Sequence, residues 1–156
     1  MSTYLDYDGR VYDVLAFRGA TEGGVARLDQ SLVDDESGGE VCTGAQMVAQ
    51  AWLTEFMTEQ GSVGYAPEAG CPFMTALKQG RMRAETDVFQ YFNLSSAGVR
   101  RNLLSAEDGT EPAEDRFSKA VLNAVTVSPG YVTLNVSVST LAGTSRKVIL
   151  PIEIVP

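Results

Sequence analysis

Between Tyr131 and Ser139 the chain alternates without a break. Tyr131, Thr133, Asn135, Ser137 and Ser139 fall on one side, and Val132, Leu134, Val136 and Val138 on the other. A period of two sends successive side chains to opposite faces of a β-strand, so this stretch predicts a strand buried on one face and wet on the other. A single strand cannot satisfy its own backbone, and neighbours are marked on both sides. Ser128-Pro129-Gly130 turns it back onto Val125-Thr126-Val127. Ala142-Gly143-Thr144 turns it forward into Lys147-Val148-Ile149-Leu150 and then Ile152-Glu153-Ile154. The reading is a three-stranded antiparallel meander over about 125–156. Pro151 has no N–H to donate, which makes the last strand an edge.

The stretch before the meander follows a different period. Val48, Trp52 and Phe56 recur every four residues, and Ala49, Leu53 and Met57 widen the stripe. That spacing predicts an amphipathic helix over about 44–59. Thr43-Gly44-Ala45-Gln46 has the form of a capping box at its start, and Gly61 can supply the left-handed residue at its end. Pro72 suits the first position of a short helix that Gly80 stops. Thr86 is placed to cap a third helix carrying Val88, Phe89, Phe92 and Leu94 on or near one face, with Gly98 interrupting it before Val99, Leu103 and Leu104. Pro112 opens an expected last helix through Phe117, Val121 and Leu122. The loop Gly61–Pro67 reads as irregular.

Residues 1–40 read as a short β arm or hairpin. Asp8-Gly9 is a turn dipeptide, Val11–Phe17 carries β-branched and aromatic residues, and Gly23-Gly24 and the polar run 34–40 break the pattern. The fold class that follows is α+β: a short N-terminal β arm (1–40), a helical middle of three to four helices (41–124) and a C-terminal antiparallel sheet (125–156). At 156 residues these parts fit one domain.

Charge narrows the partners. Twelve Lys and Arg against twenty Asp and Glu leave a net charge of −8. Phosphate backbones and anionic membranes are bound by clustered cations. Here the one basic cluster is Arg81-Met82-Arg83, with Arg100-Arg101 further on, so neither nucleic acid nor a membrane is an expected partner. The first ten residues show no basic start and no apolar run, which argues against a secretory signal there. No stretch approaches the ~18 apolar residues of a spanning helix. Cys42 and Cys71 are too few for a disulfide framework and form no metal-binding spacing, so two reduced thiols are expected.

Chemistry is hard to find in these residues. The chain has no histidine, which removes the commonest general base and metal ligand and any Ser-His or Cys-His nucleophile. Neither a phosphate-binding GxxxxGK[ST] loop nor a dinucleotide-binding GxGxxG is present. Glu55 and Glu59 lie four apart, as two glycosidase carboxylates could, but a solvated helix face explains them. Asp34, Asp35 and Glu36 form a loop charge run. Glu111, Glu114 and Asp115 sit where acidic residues favour a helix start. Neither cysteine has a cationic neighbour in sequence to activate it. Trp52, Phe56, Tyr65 and Phe73 could line a pocket, although aromatics at such spacing usually form core. No catalytic residue, metal or cofactor is expected.

One set of residues points to a family. Thr43-Gly44-Ala45-Gln46 through Gln50-Ala51-Trp52-Leu53 to Thr58, then Gly61-Ser62, Tyr65, Pro67, Gly70-Cys71 and Leu77, resembles the sheath-initiator proteins. These are short wedge components of contractile phage baseplates, related to a baseplate subunit of type VI secretion systems. The resemblance covers about 41–154.

The resemblance implies a virion structural protein made in the host cytoplasm. Its partners would be the tail sheath protein, baseplate wedge proteins and the tail tube or hub, and the free chain would be monomeric. It also implies that the C-terminal sheet templates the first sheath ring by strand exchange. In this chain the segment would be 131–154, with Val148, Ile149, Leu150, Ile152 and Ile154 on the docking strand and the aromatic helical middle holding the wedge. The edge argument from Pro151 points to the same strand. One departure stands out. The family often carries Glu-Pro-Arg between its last helix and first sheet strand, whereas Asn123-Ala124 occupies that junction on the reading above and Glu111-Pro112 lies before the expected helix. No binding role is therefore carried onto Glu111 or Pro112. Other readings are a tail connector or terminator subunit, which would form rings, and a tail-associated cell-wall hydrolase, which would need two carboxylates in one cleft.

Overall fold

The computed structural model describes residues 10, 11, 13, 14, 17, 18, 27, 28 and 41–154. The expected turns at Asp8-Gly9 and Gly23-Gly24 and the polar run 34–40 lie outside them. Four two-residue strands come first: β1 (Asp13–Val14), β2 (Phe17–Arg18), β3 (Arg27–Leu28) and β4 (Val41–Cys42). β1 pairs antiparallel with β4, and β2 with β3. Three helices follow, α1 (Gly44–Met57), α2 (Phe73–Lys78) and α3 (Glu85–Ala106). A 3-10 turn at Ala113–Asp115 leads into β5 (Phe117–Ser128), β6 (Tyr131–Thr140) and β7 (Ser145–Glu153). The three long strands form one antiparallel sheet in the order β5-β6-β7. The architecture is α+β, helices first and sheet last.

The helices lie on one face of that sheet, α3 against β5 and α1 against β6 and β7. The buried layer repeats the sequence alternation. Val132, Leu134, Val136 and Val138 of β6 are fully enclosed, with Val148, Leu150 and Ile152 of β7 beside them. From the helical side come Trp52, Phe56, Phe73, Val88, Phe92 and Val99. The Trp52 and Phe56 rings stack 4.8 Å apart, and Phe56 also meets Phe73 at 4.7 Å and Phe92 at 5.4 Å. Aromatic pairs in such geometry add ~0.5–1.5 kcal/mol each beyond the area they bury. Tyr65 takes no part. It projects from the α1–α2 loop and is 94% exposed.

Several local expectations are corrected. The helix expected through Phe117, Val121 and Leu122 is strand β5, so the sheet begins at Phe117 and not near 125. Register shifts between Phe117 and Lys119 and between Leu122 and Ala124 explain the misreading. They put Phe117, Ala120, Leu122, Val125 and Val127 on the helix-covered side, a spacing of three, two, three, two that imitates helical periodicity. Gly98 does not interrupt α3, which runs unbroken for 22 residues. A mid-helix glycine costs ~1 kcal/mol, which burial of Val99 offsets. Of the apolar residues expected on that helix's inner face, Val88 and Phe92 are buried, whereas Leu94 is 64% exposed and Phe89 stands at the boundary.

Helix ends differ too. The third helix is not capped by Thr86. Ala84 is its N-cap residue, and the Asp87 carboxylate accepts the Arg83 and Ala84 N–H groups at 3.0 Å. Thr43 is the N-cap of α1, yet its side chain makes no capping bond. The Gly44 N–H donates instead to Asp115 Oδ1 at 2.8 Å. An ionised carboxylate binds a helix N-terminus more strongly than a hydroxyl. Gly61 has a positive φ of 80° but sits beyond the helix end, which comes at Met57.

Candidate docking edge and the groups around it

Backbone direction decides what β7 can offer a partner. The Thr140 N–H donates to Thr144 O at 2.9 Å, and at the other end of the ladder the Ile154 N–H donates to Gly130 O at 2.8 Å. In an antiparallel ladder the bonded pairs alternate with non-bonded ones. These two bonds therefore fix the pairs Val138–Arg146, Val136–Val148, Leu134–Leu150 and Val132–Ile152 as bonded across β6 and β7. Ser145, Lys147, Ile149, Pro151 and Glu153 then turn their N–H and C=O groups away from β6. Among the described residues no strand pairs with that outer side. Pro151 falls on an outward position, where its missing N–H breaks no ladder bond.

Among the described residues the edge is thus open over Ser145–Ile149 and blunted from Pro151 on. Lys147 and Ile149 each present both an N–H and a C=O, and Pro151 presents only a C=O. The opposite edge of the sheet differs: β5 carries two register shifts, while β7 pairs without one. Bulges disrupt the regular ladder that an incoming strand needs. The side chains divide by face. Val148, Leu150 and Ile152 point into the core and Ile149 into the sheet's outer face, with Ile154 half-buried just past the strand's end. A partner strand here would meet backbone first. Trp52, Phe56 and Phe73, expected as core or contact residues, are wholly core.

Of the carboxylates singled out in the sequence, Glu55, Glu59, Glu111 and Asp115 hold the fold together. Glu55 is not a solvated bystander: its Oε1 accepts the Gly70 N–H at 2.7 Å and the Asn102 amide at 2.6 Å, tying α1, the α1–α2 loop and α3 together. Glu59 pairs with Lys78 of α2. Glu111 takes the N–H groups of Asp108 and Gly109 and closes the turn after α3. Glu107 accepts from Arg116 Nε at 3.1 Å and from the Phe117 N–H at 2.7 Å. Asp115, side chain fully buried, receives Arg10 through two bonds of 2.8 Å and the N–H groups of Val11 and Gly44. The Arg10 hydrogen bonds, aided by the Gly44 and Val11 N–H groups, hold its carboxyl below the usual carboxylate range despite burial. A cavity of about 280 Å³ opens beside these groups, lined by Met47, Val48, Leu103, Glu107, Glu111 and Asp115. Sequence reading missed the role of Asp115, whose partners lie 71 and 105 residues away.

Both cysteines are free and buried. Burial pushes the Cys71 thiol up against the Phe73 N–H and the Ser95 hydroxyl, and burial together with the charge of Asp13 does the same at Cys42. The Cys71 thiol donates to Phe56 O at 3.1 Å. Among the described residues no group of three His, Cys, Asp or Glu is placed to hold a metal, and no helix is long and apolar enough to cross a membrane. No protein-family model matches the chain, and no curated protein matches its sequence.

Proposed function

We propose that this chain is a structural component of a contractile phage-type tail baseplate, and that it starts the sheath by accepting a strand along β7. The observation that carries the reading is the regular half-edge Ser145–Ile149, open among the described residues, on a sheet backed by a helical layer. Main-chain bonds at such an edge supply affinity and the alternating side chains set register. Arg146 and Lys147 lie within the open half and favour an acidic incoming strand.

The residues behind the resemblance support the reading. Gly70-Cys71 closes the α1–α2 loop onto α1, with the Cys71 N–H on Thr58 O at 2.9 Å and the Gly70 N–H on Glu55. The junction between the last helix and the first sheet strand is 107–116, not 123–124, so Glu111-Pro112 sits where the family often carries Glu-Pro-Arg. Ala113 stands in place of the arginine. On this reading the chain binds and does no chemistry, its partners being the sheath protein and the wedge and tube proteins beneath it.

The test is recovery of partners by the tagged chain from particle-producing cells, compared with its Ile149→Pro variant. Sheath and baseplate proteins with the native chain, and loss of sheath alone with the variant, support it. Recovery of no tail protein by either sinks it. A closed ring formed by the isolated chain would favour a connector or terminator subunit instead.

A further inference from the structure

The sheet edge opposite β7 borders a second surface of different character. α3 packs on β5 there, and its exposed side carries a low point at Ala97 with a groove on either flank. One groove, about 290 Å³, lies between α3 and β5 and is lined by Trp52, Ser96, Arg100, Phe117 and Lys119 among others. The other, about 330 Å³, lies between α3 and the α1–α2 loop and is lined by Pro72, Leu94, Gly98 and Arg101 among others. Ala97 lines both, so the two are one saddle across the helix.

Charge identifies what the saddle fits. The chain carries −8 overall, yet Arg100, Arg101 and Lys119 gather here. Among the described residues Arg10, Lys78 and Arg116 are held in ion pairs, and these three are not. The two grooves meet these cations from both sides of α3: Arg100 and Lys119 line the β5 side and Arg101 the loop side. Leu94, 64% exposed, gives the far side of the saddle an apolar contact.

We infer that this saddle binds an acidic segment of a partner protein, laid across α3 at Ala97. A carboxylate of the segment accepts from Arg100 and Lys119, and an apolar side chain rests on Leu94 and Pro72. The surface is distinct from the β7 edge and does not depend on strand docking. It gives the chain two faces, one at each edge of its sheet.

The test selects binders from a random linear peptide library on the intact chain. Selected peptides should be rich in Asp and Glu beside an apolar residue. They should lose about tenfold or more in affinity for the Arg100→Glu/Lys119→Glu variant, and bind Arg81→Glu/Arg83→Glu as well as the native chain. Thermal unfolding of each variant separates lost binding from lost fold, and Arg100→Gln/Lys119→Gln replaces the reversal if that one unfolds. The inference is overturned if no acidic peptide is selected, if the charge variants bind equally, or if a single-stranded oligonucleotide binds the saddle instead.

Discussion

Arg10 and Asp115 form a two-pronged ion pair, Nε to Oδ2 and Nη2 to Oδ1, each at 2.8 Å across 105 residues of sequence. The same carboxylate takes the N–H of Gly44 at the start of α1. One side chain thus joins the N-terminal segment, the first helix and the turn that launches the sheet. Such a residue holds three elements in register, and each of its partners is a partial substitute for water.

Removing Arg10 should therefore cost more than a surface charge would. Arg10→Met leaves a buried carboxylate with backbone partners only, and we expect a loss of roughly 2–3 kcal/mol, since breaking fully buried pairs costs more and Arg10 is partly exposed. The pH dependence has a definite sign. Asp115 is depressed in the folded state, so its contribution is full above the unfolded value of about 3.9 and is lost as pH falls through the folded value. Urea midpoints of native and Arg10→Met chains should converge below about pH 4. Parallel curves down to acid pH would show that the pair does not carry this stability.

Gly70 and Gly61 should respond very differently to alanine. Both have positive φ, 84° and 80°. A Cβ on Gly70 would lie 2.4 Å from Thr58 O, whereas one on Gly61 meets nothing within 4 Å. Gly61→Ala should cost only the left-handed backbone penalty of ~1–2 kcal/mol. Gly70→Ala adds a backbone clash and should cost about twice as much, read as a larger fall in melting temperature.

Both thiols should be slow to react in the folded chain. Their raised proton affinity keeps them neutral near pH 8, and burial shields them. A disulfide-exchange reagent should label neither quickly in buffer and both at once in strong denaturant. Fast labelling of Cys71 in buffer would mean that the α1–α2 loop opens away from Phe56.

The strand alternation of 131–139 and the stripe Val48–Trp52–Phe56 were legible because burial there follows a single period. β5 was not legible, because its two register shifts make a strand count like a helix. Asp115 was hidden for another reason. Local sequence explains an acidic residue near a helix start well enough, and nothing nearby announces that an arginine 105 residues earlier will meet it. The β7 edge was half legible: Pro151 marks an edge from sequence, but only the ladder phase shows which residues face outward. The cationic saddle was invisible, since Arg100 and Lys119 belong to different elements.

That ladder phase makes a prediction about proline. Val148 turns its N–H toward β6, opposite Val136, and buries its side chain. Val148→Pro removes a ladder bond, leaves an acceptor unmet and empties part of the core, for an expected loss of roughly 3–5 kcal/mol. Ile149 turns its N–H outward, as Pro151 does. Ile149→Pro should cost only about 1 kcal/mol, through lost side-chain contact on the outer face. Urea unfolding of the two variants gives the comparison directly. A larger loss for Ile149→Pro than for Val148→Pro would mean that Ile149, and not Val148, donates its N–H into the ladder. A stable Ile149→Pro chain would present an edge with a proline at both 149 and 151, leaving Ser145 and Lys147 as the residues of that half able to exchange a pair of bonds with an incoming strand.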